Sequence, residues 1–339
     1  MSNESIEVSV LCLAYNHQKY IRSALEGFVR QKTRFKFEVI INDDASTDET
    51  TDIIKEYENK YPDIIKPVYQ IENQYSKDIE IIEEILLPLV HGKYIAFCEG
   101  DDFWINENKL QIQYDLMEKE SECSLCVHRV NCENDDGSLN SRTIPEKYYG
   151  IDRDVILTKV DLCKLYWVYG DYPFHTSSFF LRREIFDTKV ILKRDVGILR
   201  KCLMVGNAIY INNPMSIRRL FTVGNFNSRL KDKGNQGVIQ LLIQDIENDV
   251  AFDSYTNGEY QPYTLFGIYK RVMQISHYTP ELSKKLLNKY DVKFFKWTTV
   301  IHGKERIKAL LLYLMLRILP TKIYSKALTL SHNIRRGKT

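Results

Sequence analysis

The chain has 339 residues, of which 44% are hydrophobic and 27% charged. That is enough to bury a sizeable core, too apolar for a disordered chain and too charged for a membrane-integral one. The net charge of +2 hides an asymmetry: residues 301–339 hold nine Lys/Arg and one Glu, so the first 300 residues are net acidic. A basic tail on an acidic body implies an anionic partner such as a membrane surface.

Val8–Ala14 (VSVLCLA) is a continuous apolar run, the pattern of a strand buried on both faces. Ile21, Ala24, Leu25, Phe28 and Val29 then recur at helical spacing. Phe37–Ile41 predicts a second buried strand. Ser46 and Glu49 have capping-box spacing before the apolar helix positions Ile53, Ile54 and Tyr57. Ile64–Tyr69 predicts a third strand, Ile82, Ile85, Leu86 and Leu89 another helix, and Tyr94–Cys98 a fourth strand. Strand and helix thus alternate to about residue 120, which predicts a largely parallel sheet with helices on both faces.

The rhythm then changes. Ser124–Asn131 predicts a strand running to an Asp135-Asp136-Gly137 turn, and a short helix falls around Lys159–Trp167. Strand-like stretches return at Ser177–Leu181, Ala208–Ile211 and Ser216–Leu220, with a helix at Val196–Val205. After about Asn225 the pattern is mostly helical. Gly, Asn and charge cluster at 222–235, so a catalytic domain over 1–225 and a helical region over 226–339 are expected. Met1–Glu7 is polar, unlike a signal peptide, and seven irregularly spaced cysteines fit a reducing, cytoplasmic compartment. Cys123-x-x-Cys126 lacks an obvious second pair, so buried thiols in a strand are expected there rather than zinc.

Three polar clusters directly follow three predicted parallel strands: Tyr15-Asn16, Asp43-Asp44 and Glu99-Gly100-Asp101-Asp102. Ligands of open α/β sheets bind outside the carboxyl ends of the strands, so topology aims all three at one crevice. Asp101 and Asp102 repel each other unless a divalent cation intervenes, and hard oxygen ligands suit Mg²⁺ or Mn²⁺ shared with a phosphate. Alternatively they cap the helix that follows. Asp48 suits the first turn of the second helix, which leaves Asp43 and Asp44 without a capping role.

With these residues in view, the chain resembles a family 2 glycosyltransferase of the GT-A fold, a Rossmann-like α/β sheet here followed by a helical extension. The resemblance rests on VSVLCLAYNHQKYI (8–21), VIINDDASTDET (39–50), KYIAFCEGDDFW (93–104) and residues 175–225. It implies an inverting, metal-dependent transfer of one sugar from a nucleotide-diphosphate donor, a UDP-sugar by default, to a saccharide hydroxyl. Tyr15, Asn16, Asp43 and Asp44 would then face the nucleoside, and Asp102, with Asp101, would hold Mn²⁺ or Mg²⁺. Arg219 would reach the diphosphate. The resemblance makes Asp195 the general base and places His175, Thr176 and Trp104 on the acceptor side. The sequence departs from many relatives at Arg194, where Glu or Gly is common. The Gln-x-x-Arg-Trp motif of processive synthases is absent, which favours a single transfer.

A sugar nucleotidyltransferase would share the crevice but usually carries a Gly-rich loop after its first strand, and Tyr15–Gln18 has no glycine. A non-catalytic binding module would be expected to lose a carboxylate, and none is lost. Ala309–Leu319 is too short to span a bilayer. With its flanking Lys and Arg it is either an interfacial anchor on the inner face of the membrane or a helix packed on the body. An anchor would suit a lipid-linked acceptor in capsule, lipopolysaccharide or exopolysaccharide assembly. No nucleic-acid-binding motif accompanies the charge.

Overall fold

The computed structural model describes residues 5–319 apart from 78, 135, 147–149, 171–172, 189, 191, 193 and 221–233. The chain separates into two compact units. One comprises Met1–Leu162, Tyr172–Lys189 and Lys193–Asn225; the other comprises Cys163–Asp171, Val190–Leu192 and Phe226–Thr339. The boundary expected at 222–235 lies largely outside the described residues.

The first unit is built on a ten-stranded sheet. Its strands are β1 (Ile6–Ala14), β2 (Lys36–Asp43), β3 (Ile65–Tyr69), β4 (Tyr94–Phe97), β5 (Phe103–Trp104), β6 (Cys123–Glu133), β7 (Leu139–Ile144), β8 (Val155–Leu157), β9 (Phe180–Arg182) and β10 (Asn207–Arg219). Along the sheet the order is β3-β2-β1-β4-β9-β6-β10-β5, with β7 on β6 and β8 on β10. The β3-β2-β1-β4 half is parallel throughout. In the other half β9 enters antiparallel between β4 and β6, and β5 pairs antiparallel with β10.

The apolar runs form the strands they predict. Val8, Val10, Cys12, Val39, Ile41, Tyr94 and Ala96 lie in one core with Ile21, Ala24, Leu25 and Phe28 of helix α1 (Ile21–Val29). Helix α2 (Thr50–Lys60) adds Ile54 and Tyr57, and α3 (Lys109–Lys119) adds Leu110 and Met117. The two strand-like stretches after residue 207 are one strand, β10, interrupted by an irregularity between Ile211 and Ser216. The helix expected over 82–89 forms, but as a widened π-helical segment at Ile81–Leu86 followed by a tight 3-10 turn at Leu87–Leu89 rather than as a regular α-helix. Pro88 lacks the N–H that a regular helix would use there. Short helix α4 (Lys159–Cys163) and α5 (Arg194–Val205) complete the helices that touch this unit. All seven cysteines are free and buried.

The second unit is helical: α6 (Gly234–Tyr255), α7 (Gln261–Ile275), α8 (Pro280–Lys289), α9 (Phe294–Trp297) and α10 (Gly303–Ile318). Leu242, Ile246, Ile268, Val272, Leu287, Trp297 and Leu316 share its core. Buried Trp167 donates its indole N–H to Asp249 Oδ1 at 2.9 Å, and Arg271 holds the other oxygen of Asp249 at 2.7 Å. Among the described residues no helix is long and apolar enough to cross a membrane.

Candidate active site

The β1–α1 and β2–α2 loops are laced together at the carboxyl end of the parallel half. The N–H groups of Asn16, His17 and Gln18 donate to Ser46 Oγ, Thr50 Oγ1 and Asp48 Oδ2 at 3.0, 2.7 and 3.1 Å, and Thr47 N–H donates to Asn16 Oδ1 at 2.8 Å. Asn16 and Ala45 turn the chain with φ of 56° and 60°, a left-handed conformation that Asn tolerates better than Ala. The capping box expected of Ser46 and Glu49 does not form. Ser46 serves the neighbouring loop, and it is Asp48 Oδ1 that accepts Thr50 N–H at 2.9 Å. Burial raises the proton affinity of Asp48, but bonds from Thr50 and Gln18 outweigh it and hold the carboxyl below the usual range.

Asp43 does have a local role, contrary to expectation. Its oxygens accept Ser46 N–H at 3.1 Å and the Thr51 hydroxyl at 2.5 Å. Asp44 is also buried and accepts the N–H groups of Gln74 and Tyr75 at 2.7 and 3.2 Å, which ties the segment after β3 to the end of β2. Tyr15 stands half-buried at the end of β1.

The fourth strand delivers the densest charge. Gly100 leaves little room there: a Cβ would lie 2.8 Å from both His17 Nδ1 and Ile21 Cδ1, and those side chains would have to shift. Because β9 runs antiparallel to β4, with Ala96 opposite Phe180, the residues just before β9 meet those just after β4. The Thr176 hydroxyl accordingly donates to Glu99 Oε2 at 2.5 Å, and His175 Nδ1 lies 3.5 Å from Asp102 Oδ2. The same logic applies at β5. Ile217 pairs with Phe103, so Arg219 returns beside Asp101. Its backbone N–H donates to Asp102 Oδ1 at 2.9 Å, its guanidinium to the Asp101 carbonyl at 3.0 Å and to Glu133 Oε1 at 3.2 Å.

Ligand atoms of Glu99, Asp102 and His175 all lie within 4.8 Å of one another. Burial, then the charges of neighbouring carboxylates, drive Asp102 far above its ordinary value. Burial also pushes Glu99 up to about 7 against the bond from Thr176, and Asp101 and Asp195 add to the rise. Burial, with Arg218, keeps the His175 imidazole neutral. Two carboxylates and a neutral imidazole converging in a poorly solvated space resist ionisation alone and fit a divalent cation. Glu99 is the member that sequence reasoning left unassigned, although it stands in the same EGDD motif; Asp101 is not in the cluster.

Trp104 does not face the crevice as expected. It is 4% exposed, donates its indole N–H to the Ser177 carbonyl at 3.0 Å, and packs against Phe28 at 4.9 Å. The Lys109 ammonium sits 4.1 Å from its ring, and burial pulls that ammonium down to about 7. Asp195 lies in the first turn of α5 and accepts Val196 N–H at 2.8 Å. Arg194 before it takes φ of 67°.

The family model described as "Glycosyl transferase family 2" matches residues 9–188. The E. coli UDP-Glc:alpha-D-GlcNAc-diphosphoundecaprenol beta-1,3-glucosyltransferase WfaP is 37% identical over 113 residues, 33% of this chain and 42% of that protein. The chain spans about two-fifths of the length of the first curated relatives it matches. Among solved structures, S. aureus TarS 1–349 in complex with UDP-GlcNAc aligns with a TM-score of 0.55 at 15% identity, covering 87% of this chain and 90% of that one. The mannosyltransferase PcManGT from Pyrobaculum calidifontis, in complex with GDP-Man and Mn²⁺, aligns at 0.51 and 17% identity over 91% and 87%. At such identities the two structures establish a shared fold.

Proposed function

The chain belongs to glycosyl transferase family 2, and on that premise we propose that it transfers a single sugar, with inversion, from a nucleotide-diphosphate sugar to a saccharide hydroxyl. The observation that carries this reading is the cluster of Glu99, Asp102 and His175 at the carboxyl end of β4. It stands beside the two laced loops that end β1 and β2, where a nucleotide is expected to sit. Tyr15, Asn16 and Asp44 line the nucleoside end. In binding a donor, Asp44 keeps the segment after β3 against β2 through its bonds to Gln74 and Tyr75.

Glu99, Asp102 and His175 would hold the cation, and one imidazole nitrogen among oxygens favours Mn²⁺ over Mg²⁺. When bound, the metal supplies charge neutralisation at the departing diphosphate. Arg219, anchored on Glu133 and on the Asp101 carbonyl, brings a fixed cation to the same end of the site. Asp195 takes the proton from the acceptor hydroxyl. Its charge adds to the raised Glu99 carboxyl, which supports a base near the cluster. Thr176 holds Glu99 in place, and Trp104 serves as a buried support for β5 rather than as an acceptor contact.

UDP is the donor nucleotide most consistent with these relatives: WfaP's name specifies UDP-Glc and TarS was solved with UDP-GlcNAc. WfaP's acceptor is diphosphoundecaprenol-linked, and a lipid-linked saccharide acceptor in surface-polysaccharide assembly, met at the cytoplasmic face of the membrane, follows for this chain by analogy. The test is a thermal-shift screen against UDP, GDP, dTDP and CMP, with and without Mn²⁺. Metal-dependent stabilisation by one nucleoside diphosphate is expected, and hydrolysis of the matching nucleotide sugar should accompany it. No shift with any nucleotide would overturn the donor assignment.

A further inference from the structure

Helix α10 is apolar on two opposite sides. Ala309 and Leu316 turn inward to the core of the helical unit, and the Ala309 carbonyl accepts the Tyr269 hydroxyl at 2.9 Å. On the far side Ile307, Leu311, Leu314 and Ile318 are exposed by 61, 56, 39 and 72%. At about 100° per residue these four fall within an arc of about 60°, diametrically opposite Ala309 and Leu316. The same projection places Lys304 and Lys308 along one flank of the outward stripe and Arg306 and Arg317 along the other. Arg317 is held there by Asn288 Oδ1 at 2.5 Å, and its guanidinium lies over the Tyr313 ring at 5.4 Å.

A helix that merely packs on its unit needs one apolar side, so the second requires another occupant. We propose that the outer face of α10 docks on an anionic lipid surface, with Ile307, Leu311, Leu314 and Ile318 entering the acyl boundary and Lys304, Arg306, Lys308 and Arg317 reaching headgroup phosphates. The flanking cations decide between occupants. A second copy meeting this face through a two-fold axis would set basic flank against basic flank, which is repulsive. An anionic bilayer complements both the stripe and its flanks, the arrangement of interfacial helices. The sequence beyond Leu319 adds Lys322, Lys326, Arg335, Arg336 and Lys338, and such clusters strengthen attraction to anionic lipid. The helix lies on the membrane and does not cross it. This assignment is independent of the donor site, since it concerns binding without turnover.

The test is vesicle flotation of the full chain with phosphatidylcholine alone and with phosphatidylcholine containing phosphatidylglycerol. The wild type is expected to float with the anionic vesicles and to be released by high salt. Leu311→Glu with Ile318→Glu, both at exposed positions, is expected to cut flotation by about tenfold or more with an unchanged melting curve. A variant with Gln at 322, 326, 335, 336 and 338 is expected to retain part of the binding. Absence of wild-type flotation, full flotation of the double variant, or total loss in the tail variant would each overturn the proposal. So would a wild-type dimer that the double variant dissociates without changing flotation, which would give the face to a second copy.

Discussion

Glu99→Gln tests the electrostatics of the site without requiring a substrate. The Glu99 carboxyl titrates at about 7 in the fold against 4.5 for a free side chain. The folded protein therefore holds this proton more tightly than the unfolded chain, and stability falls as pH rises from 4.5 toward 7 and then levels. That interval corresponds to about 3 kcal/mol for a fully enclosed group, and partial solvent access reduces it to about 1–3 kcal/mol. Glutamine keeps an oxygen for the Thr176 hydroxyl and removes the charge. In urea unfolding with EDTA, the variant should match the wild type near pH 4.5 and exceed it by about 1–3 kcal/mol at pH 8. Saturating Mn²⁺ at pH 8 should reverse the order, because only the wild type offers three ligands. A variant no more stable than the wild type at pH 8 in EDTA would refute the claim that burial, reinforced by Asp101 and Asp195, raises the Glu99 carboxyl.

Asp195→Asn should lower turnover by about a hundredfold or more while nucleotide-induced thermal shifts persist, the pattern of a lost general base; weakened nucleotide binding with little change in turnover would reassign the residue. Lys109→Met should stabilise the protein. Its ammonium is pulled from 10.5 to about 7 by burial, so stability declines as pH falls from 10.5 toward 7, and the variant's advantage, measured by denaturant titration, should be greatest below pH 7. Gly267→Ala should cost about 2–4 kcal/mol in the same assay, because its Cβ would lie 2.3 Å from Trp167 Cδ1 and 3.1 Å from Asp249 Oδ2, inside a buried ion pair.

The parallel half of the sheet was legible because each strand is a local object. Val8–Ala14 and Tyr94–Cys98 are apolar without interruption, and the polar residues that end them fall at the carboxyl edge whatever the rest of the chain does. The errors came where a side chain's partner lies far along the chain. Ser46 has capping-box spacing but is claimed by the backbone of Asn16, thirty residues earlier. Asp43 is the exception: its partners Ser46 and Thr51 are near in sequence, and the β2–α2 loop folds them back over it. Trp104 follows the acidic motif and reads as a wall of the site, yet Ser216 pairs with it across the sheet and turns its ring into the core.

The cluster at the end of β4 shows why the remaining residues could be named without their arrangement being foreseen. Glu99, Asp102 and His175 are all visible in the sequence, but Glu99 and His175 are 76 positions apart. Only the direction of β9 brings them together. A parallel strand would deliver its first residues to the opposite edge of the sheet, some four residues of β4 away; an antiparallel one delivers them beside the strand's exit. Nothing local in Phe180–Arg182, three residues long, encodes that direction. It is fixed by β6, which pairs antiparallel with the other side of β9 through Leu125 and Cys126. Reversing β9 would therefore dissolve the cluster while leaving every motif in place, so the short antiparallel strand is as much a part of the candidate site's specification as the carboxylates it positions.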